Sequence, residues 1–118
     1  MFFKIRKKNE FTPYPVSDKV TFRNVDRVLS LTVRADGGNI VRNLKKAQER
    51  LAAETDTSTE EERLESARFF AASMFGDEQA RQIVDLYDGD PFAIISVCGD
   101  YFSARLSKII TKVQIRRG

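Results

Sequence analysis

Histidine and tryptophan are both absent from this 118-residue sequence, and cysteine occurs once, as Cys98. Without histidine, Ser-His-Asp and Cys-His catalytic arrangements and His-containing zinc sites are excluded. A single cysteine forms no intramolecular disulfide, which is typical of proteins in reducing compartments. We therefore expect a cytoplasmic protein that is not an enzyme and that carries no metal and no cofactor.

Long apolar runs are missing as well. Residues 1–8 are basic, but no apolar run of about 7–15 residues follows, so they are unlike a signal peptide. No run reaches the roughly 18 apolar residues of a membrane-spanning helix. The composition is that of a globular chain, with 42% hydrophobic and 31% charged residues. We expect an N-terminal arm over residues 1–18 and a single globular domain over 19–118.

The net charge of +3 conceals three blocks of alternating sign. Residues 1–50 carry a net charge of +7, residues 51–90 carry −8, and residues 91–118 carry +4. One interpretation is that the blocks pair within the fold or lie on separate solvated faces. The other is a dipolar subunit that docks its positive end on the negative end of the next copy, as in rings and spirals.

The periodicity predicts an α+β fold that is mainly α, with an N-terminal β-hairpin packed on four helices. Apolar and polar residues alternate over residues 19–35, with a turn at Asn24-Val25-Asp26. Apolar residues then recur at helical spacing over four segments. The predicted helices cover residues 39–54, 58–75, 78–87 and 91–114.

Boundary signals divide the last three helices. Three overlapping capping boxes precede the second helix, so its first residue stays open among Thr57, Ser58 and Thr59. Gly76 has the character of a C-terminal cap. Asp90 and Pro91 are typical of the first positions of a helix.

A heptad pattern marks the fourth helix. Apolar or small residues recur there at spacings that alternate between three and four positions. They are Phe92, Ile95, Gly99, Phe102, Leu106, Ile109 and Val113. This predicts that the fourth helix is central and the most buried. Because a glycine inside a helix costs about 1 kcal/mol, Gly99 indicates close approach of a second helix, from the same chain or from another subunit.

Nucleic-acid binding is the main competing interpretation. The isoelectric point is about 9.2, and basic residues cluster in the first helix and at both termini. The third and fourth helices resemble a helix-turn-helix in outline. However, the fourth helix starts with Asp90, Pro91 and Phe92, whereas a recognition helix presents polar side chains to the bases at this end.

The C-terminal part of the chain carries a family resemblance. It includes FGDEQA at residues 75–80, DLYDGDP at 85–91, CGDYF at 98–102 and RLSKIITK at 105–112. These segments resemble the tail assembly chaperones encoded among the tail genes of siphophages and prophages of Gram-positive bacteria. The resemblance covers about the last 45 residues; the hairpin and first helix are similar in outline, and residues 1–17 have no counterpart.

The resemblance implies a function. Proteins of this family bind the long helical tape measure protein, keep it soluble until tube subunits polymerise around it, and self-associate. It implies the tape measure protein as a partner, the tail tube protein as a second one, and the bacterial host cytoplasm as the location. No membrane or nucleic acid is expected. The alternatives are a small basic nucleic-acid-binding or regulatory protein and a structural phage subunit.

The candidate interaction residues are aromatic side chains without an assigned partner and charged helix faces. The aromatic candidates are Phe2, Phe3 and Phe69. The basic candidates are Arg42, Lys45 and Lys46, and the acidic ones are Glu61, Glu62 and Glu65. We predict that these residues contact other proteins, including further copies of the chain.

Overall fold

A β-hairpin and three helical segments succeed one another along residues 15–111, the part of the chain that the computed structural model describes. For residues 15–16 and 35–37, only the backbone is described. The elements are β1 (Pro15–Asn24), β2 (Arg27–Asp36), α1 (Gly37–Ala52), α2 (Glu60–Leu86) and α3 (Pro91–Tyr101). A π-helical turn (Phe102–Leu106) continues α3, and residues 107–111 are again α-helical. We call residues 91–111 the C-terminal helix.

The hairpin is antiparallel, with Asn24 opposite Arg27 and a two-residue turn at Val25 and Asp26. It confirms the predicted turn. The first strand begins at Pro15, whereas we expected it at residue 19, because a proline is compatible with the first position of a strand. Phe22, Leu31 and Val33 point into the core, as their alternation with polar residues predicts.

Side chains of α2 and the turn after it tie the hairpin down. The Gln79 side-chain amide pairs with the backbone of Thr32: Oε1 accepts from the Thr32 N–H at 3.1 Å, and Nε2 donates to the Thr32 carbonyl at 2.7 Å. The Gln79 amide thus bonds both the N–H and the carbonyl of Thr32, as a neighbouring strand would. Tyr87 donates its hydroxyl to the carbonyl of Arg23 at 2.9 Å. A two-stranded sheet is marginal alone, and these contacts attach it to the helices.

Helix α1 starts two residues before its predicted boundary, at Gly37. Ile40, Leu44 and Ala47 form its buried stripe, as the spacing predicts, and Leu51 is half-buried at the end.

Helix α2 begins at Glu60, after a capping box that settles which of the three candidates is used. Thr59 Oγ1 accepts from the Glu62 N–H at 3.1 Å, and the Glu62 carboxylate accepts from the Thr59 N–H at 2.7 Å. Gly76, with φ of 84°, interrupts the helix where the predicted second and third helices meet. The chain bends there, so that Gly89 lies beside Leu64.

The mainly helical α+β class is confirmed, but the predicted central position of the fourth helix is wrong. The kinked helix α2 packs against α1, α3 and both strands, and it contributes the largest set of buried side chains. The C-terminal helix packs chiefly on α2. One ring cluster joins these layers: Phe22, Phe75 and Tyr101 have ring centroids 5.5–6.4 Å apart.

The predicted heptad seam is also wrong as a single buried stripe. The inward residues are Ile94, Cys98 and Tyr101, and then Leu106 and Ile110. The step of five from Tyr101 to Leu106 spans the π-helical turn, which holds one residue more than an α-helical turn. The π-helical turn therefore shifts the residues after it around the helix axis, and the predicted seam does not stay on one side of the helix. Val113 lies outside the described residues.

Within residues 15–111, none of the helices combines the length and the apolar character needed to cross a membrane.

Candidate protein-binding site

The first nine residues of α3, Pro91 to Gly99, contain no charged side chain. One side of this segment is buried against α2, and Ile94 and Cys98 are fully inaccessible there. A helix that is apolar on all sides is normally surrounded by other elements. We therefore expect α3 to have neighbouring elements on each of its sides.

No element of residues 15–111 fully covers the opposite side of α3. The Phe92 side chain is 69% exposed, the largest exposure of any ring in the described part of the chain. Ile95 and Phe102 are half-buried and pack in part against the core. A Cβ built on Gly99 has no atom within 4 Å, so the close approach predicted for Gly99 is not made within residues 15–111. We call this surface the open face; its members are Phe92, Ile95, Ser96, Gly99, Phe102 and Ser103.

Both ends of α3 are fixed, which holds the open face in position. At the start, Asp90 Oδ1 accepts from the N–H groups of Phe92 at 3.0 Å and Ala93 at 3.4 Å. At the end, the Asp18 carboxylate accepts the Tyr101 hydroxyl at 2.9 Å and two N–H groups of Arg105, at 2.9 and 2.6 Å. Since Arg105 belongs to the π-helical turn, this contact with β1 holds the turn that rotates the seam.

Protonation at this contact is shifted. The hydrogen bonds from Arg105 lower the pKa of Asp18, so the carboxylate stays ionised at neutral pH. Burial, together with the bond to Asp18, raises the pKa of Tyr101. Burial also raises the pKa of the Cys98 thiol to about 12, so the thiol stays protonated at neutral pH.

The predicted basic residues lie on the outer side of α1. Arg42, Lys45 and Lys46 are exposed, and Arg42 donates to the side chain of Asn39. Neither lysine makes an ion pair with a described residue. The three form a solvated face, and the structure does not bring them into contact with the predicted acidic residues.

The predicted acidic residues line a shallow groove at the loop between α1 and α2. Glu61, Glu62 and Glu65 border its volume of about 600 Å³ together with Arg50. Glu62 belongs to the capping box, and Glu65 pairs with Arg68, whose hydrogen bond lowers the pKa of Glu65. Two of the three carboxylates therefore have local structural roles.

The predicted aromatic residues fall in two classes. Phe69 is half-buried, and the guanidinium of Arg50 lies 5.4 Å from its ring centroid. This cation–π contact gives the ring one partner within the chain, and its predicted contact with another protein stays a prediction. Phe2 and Phe3 lie outside the described residues.

The charge blocks pair little with one another. Most ion pairs among residues 15–111 are local, such as Arg68 with Glu65. Among the described residues, one ion pair joins the basic first block to the acidic second one, between Arg27 and Asp88 at 2.9 Å. A second pair, between Arg105 and Asp18 at 2.6 Å, joins the third block to the first. Pairing of blocks of opposite net charge within residues 15–111 thus rests on one exposed pair, and head-to-tail docking stays a hypothesis.

The open face was not among the predicted interaction residues. Sequence reasoning assigned Phe92, Ile95 and Gly99 to a buried seam because they recur at heptad spacing. The available signal was the charge-free run from Pro91 to Gly99, which needs apolar neighbours on all sides and finds them among residues 15–111 on one side.

In the part of the chain that is described, no three His, Cys, Asp or Glu side chains are arranged to hold a metal ion. No protein-family model matches the sequence, and no match was found among curated proteins or solved structures.

Proposed function

We propose that this chain is a non-catalytic assembly chaperone that binds an apolar helix of its client on the open face. The carrying observation is the C-terminal helix itself, which is uncharged from Pro91 to Gly99 yet is covered on one side only by the residues that the structure describes. Exposed apolar patches on small proteins mark interaction sites. Residues 15–111 supply no apolar neighbour for the exposed part of the open face, and a client helix would supply one.

The spacing of the open face suits a helical client. Phe92, Ile95, Gly99 and Phe102 follow the i, i+3, i+7 and i+10 pattern along one side of a helix. Twelve residues extend over about 18 Å, the length of three helical turns of a partner. Gly99 leaves space at the middle for close approach of a client backbone. This is the recognition mode in which apolar side chains of two helices interlock.

The sequence resemblance identifies the client we favour. In a tail assembly chaperone, the client is the tape measure protein, whose long apolar helices need cover in the host cytoplasm before the tube polymerises. The tail tube protein is the second partner. The absence of histidine and the protonated thiol of Cys98 agree with a function that depends on binding alone.

The binding energy should concentrate on Phe92. Covering a mostly exposed phenylalanine contributes about 2 kcal/mol at ~25 cal/mol per Å². That amount corresponds to roughly a 30-fold change in affinity. The two serines of the open face add little energy themselves, and they allow the backbones to come close.

Coexpression with the tape measure protein encoded by the same phage or prophage genome tests the proposal. We expect the chain to keep that protein soluble and to copurify with it. Phe92→Glu should abolish both effects. The matched control is Val28→Glu, which places the same charge on another exposed apolar residue, 51% exposed, on the hairpin. Equal loss with both variants, or no loss with Phe92→Glu, would contradict the proposal.

One observation favours the second candidate, a basic nucleic-acid-binding protein. Arg42, Lys45 and Lys46 present an exposed basic face without carboxylate partners in the described structure. Size-exclusion chromatography with light scattering and an absorbance ratio at low and high salt separates the two. A chain that carries nucleic acid at low salt and releases it at high salt supports this candidate, because phosphate contacts weaken steeply with salt.

The third candidate, a structural phage subunit, differs in where the protein ends up. A chaperone leaves before the particle is complete, whereas a structural subunit stays in it. Mass spectrometry of purified virions should therefore find the tape measure protein without this chain. Finding both at comparable abundance would favour the structural subunit.

A further inference from the structure

We propose that the outer edge of β1 is a second binding site, which accepts an extended, acidic segment of a partner protein as a third strand of the sheet. This site is separate from the open face, with which it shares no residue. Three properties carry the proposal: the unequal edges of the hairpin, the apolar groove beside β1 and the charge on the solvent side of the sheet.

The two edges of the hairpin are completed differently. A two-residue turn makes the residues that flank it, Asn24 and Arg27, a hydrogen-bonded pair, and such pairs alternate with pairs whose backbone groups point outward. By this alternation, the backbone of Thr21 points away from β2, and that of Thr32 points away from β1. The Gln79 amide bonds both backbone groups of Thr32. Among the described residues, no side chain does the same for Thr21.

A contact at the next outward position of β1 supports this direction. The Tyr87 hydroxyl donates to the carbonyl of Arg23 at 2.9 Å, and the alternation places the backbone of Arg23 on the same edge as that of Thr21. Thr21 therefore presents one N–H donor and one carbonyl acceptor side by side. A peptide backbone in an extended conformation satisfies both groups at once, which is how partners add a strand to the edge of a sheet.

An apolar groove of about 430 Å³ runs beside this edge, between β1 and the C-terminal helix. Val20 and Phe22 line the groove from the strand, and Val97 and Tyr101 line it from the helix. Val20 and Val97 are half-buried, so both retain surface that an apolar side chain can cover. Because side chains alternate along a strand, a strand added to β1 would direct every second side chain into this groove.

The solvent side of the hairpin is basic. Lys19 and Arg23 project from β1 on this side, Arg34 projects from β2, and all three are exposed. None of them makes an ion pair with a described residue. Residues 17–23 and 28–34 place no carboxylate on this side of the sheet. Since opposite charges on neighbouring strands are stabilising, the incoming strand should alternate acidic residues on its solvent side with apolar residues on its groove side.

A peptide titration followed by NMR of the isotope-labelled full chain tests the site. The probe is a short blocked peptide in which glutamate and valine alternate. We expect it to shift the Thr21 amide signal and to slow hydrogen exchange there, because this N–H gains an acceptor. The alternation places a glutamate opposite Thr21, so N-methyl groups on the glutamates block the pairing. The N-methylated peptide should bind about tenfold more weakly, for the lost hydrogen bonds.

A matched pair of variants tests the edge from the side of the chain. Thr21→Pro removes the outward N–H, and a proline is tolerated on the edge of a sheet. Ser30→Pro is the control, because Ser30 lies directly opposite Thr21 and its N–H points to the other edge. We expect Thr21→Pro to lose affinity for the glutamate peptide about tenfold and Ser30→Pro to keep it. If Thr21→Pro does not fold, the N-methylated peptide tests the same hydrogen bonds on the unaltered chain.

Equal affinity for the N-methylated peptide, or for a peptide with lysine in place of glutamate, would overturn the proposal. So would an unshifted Thr21 amide at millimolar peptide, or equal losses in the two proline variants. Tighter binding of oligothymidine at Lys19 and Arg23 would assign the basic side to nucleic acid instead. A Thr21 amide that is protected before peptide is added would also refute the partner segment. Protection that grows with chain concentration would then identify a second copy as the occupant, and constant protection would identify the same chain.

Discussion

Helices α1 and α3 both bury one side and expose the other, but the chemistry of their exposed sides is opposite. The exposed positions of α1 carry Arg42, Lys45 and Lys46, and these charged side chains are well solvated by water. On α3 the exposed side carries Phe92, with the half-buried Ile95 three residues further on, and contact of these apolar side chains with water is unfavourable. The difference shows that exposure alone does not identify a binding surface. The exposed side chains must also differ from those that a solvated helix would have.

The largest expected effect is on the free energy of unfolding, and it should differ between the buried and the exposed side of α3. Ile94→Ala removes a side chain that is 0% exposed and should lower the free energy of unfolding by about 2–4 kcal/mol. Phe92→Ala, two residues away and mostly exposed, should change it by less than about 0.5 kcal/mol. Urea denaturation followed by circular dichroism measures both. Similar losses for the two variants would mean that Phe92 packs within the chain.

The next effect concerns binding. Phe92→Ala should weaken association with the tape measure protein by about 30-fold, for the loss of about 2 kcal/mol of apolar burial. Val28→Ala on the hairpin serves as the control and should leave the affinity unchanged. Titration calorimetry with a soluble tape measure fragment gives both values. Loss of affinity in the hairpin variant would move the site away from α3.

A smaller effect is expected at the start of α2. Thr59→Ala removes the hydroxyl that caps this helix and should cost about 1 kcal/mol of unfolding free energy. Thr57→Ala is the matched control, because Thr57 belonged to a competing capping box in the sequence but does not cap the helix. Equal destabilisation by the two substitutions would argue against the observed cap.

The contact between β1 and the π-helical turn should depend on pH. The pKa of Asp18 lies below its ordinary value of 3.8, so its ionised form stabilises the fold. This contribution is present above the unfolded-state pKa and is lost as the pH falls through the lower folded-state pKa. Asp18→Asn should therefore lower Tm at pH 7, and the difference from the unaltered chain should shrink toward pH 2. A difference independent of pH would show that charge at Asp18 is irrelevant.

The smallest effect is expected on α1. The double substitution Lys45→Ala and Lys46→Ala should change the free energy of unfolding by less than about 0.5 kcal/mol, because both side chains are solvated. Client capture should be unaffected. Capture assays with the double variant provide the measurement, and a clear loss would show that the basic face, and not the open face, holds the client.

Local signals predicted much of the fold. The hairpin turn, the break at Gly76 and the start at Asp90 were correctly placed because each depends on neighbouring residues alone. The π-helical turn was not predictable in this way. The π-helical turn includes Arg105, which contacts Asp18, 87 positions earlier in the chain. The heptad spacing predicts neither the turn nor this contact.

The open face was not predicted from the sequence, for a related reason, and the predicted interaction residues stay a prediction. The sequence pattern predicts that charged residues such as Lys45 lie at the surface, and that one of the adjacent rings Phe69 and Phe70 is free for a partner. Phe92 was assigned to the interior because its spacing matches a buried seam. Whether a helix side is covered depends on the arrangement of the whole chain, and a pattern along one helix does not contain that information.

Hydrogen–deuterium exchange of the chain, alone and in complex with the tape measure protein, tests the central claim most directly. The account predicts that binding slows exchange in residues 91–103 and leaves the outer side of α1 unchanged. Slower exchange confined to α1, with residues 91–103 unchanged in the complex, would contradict it.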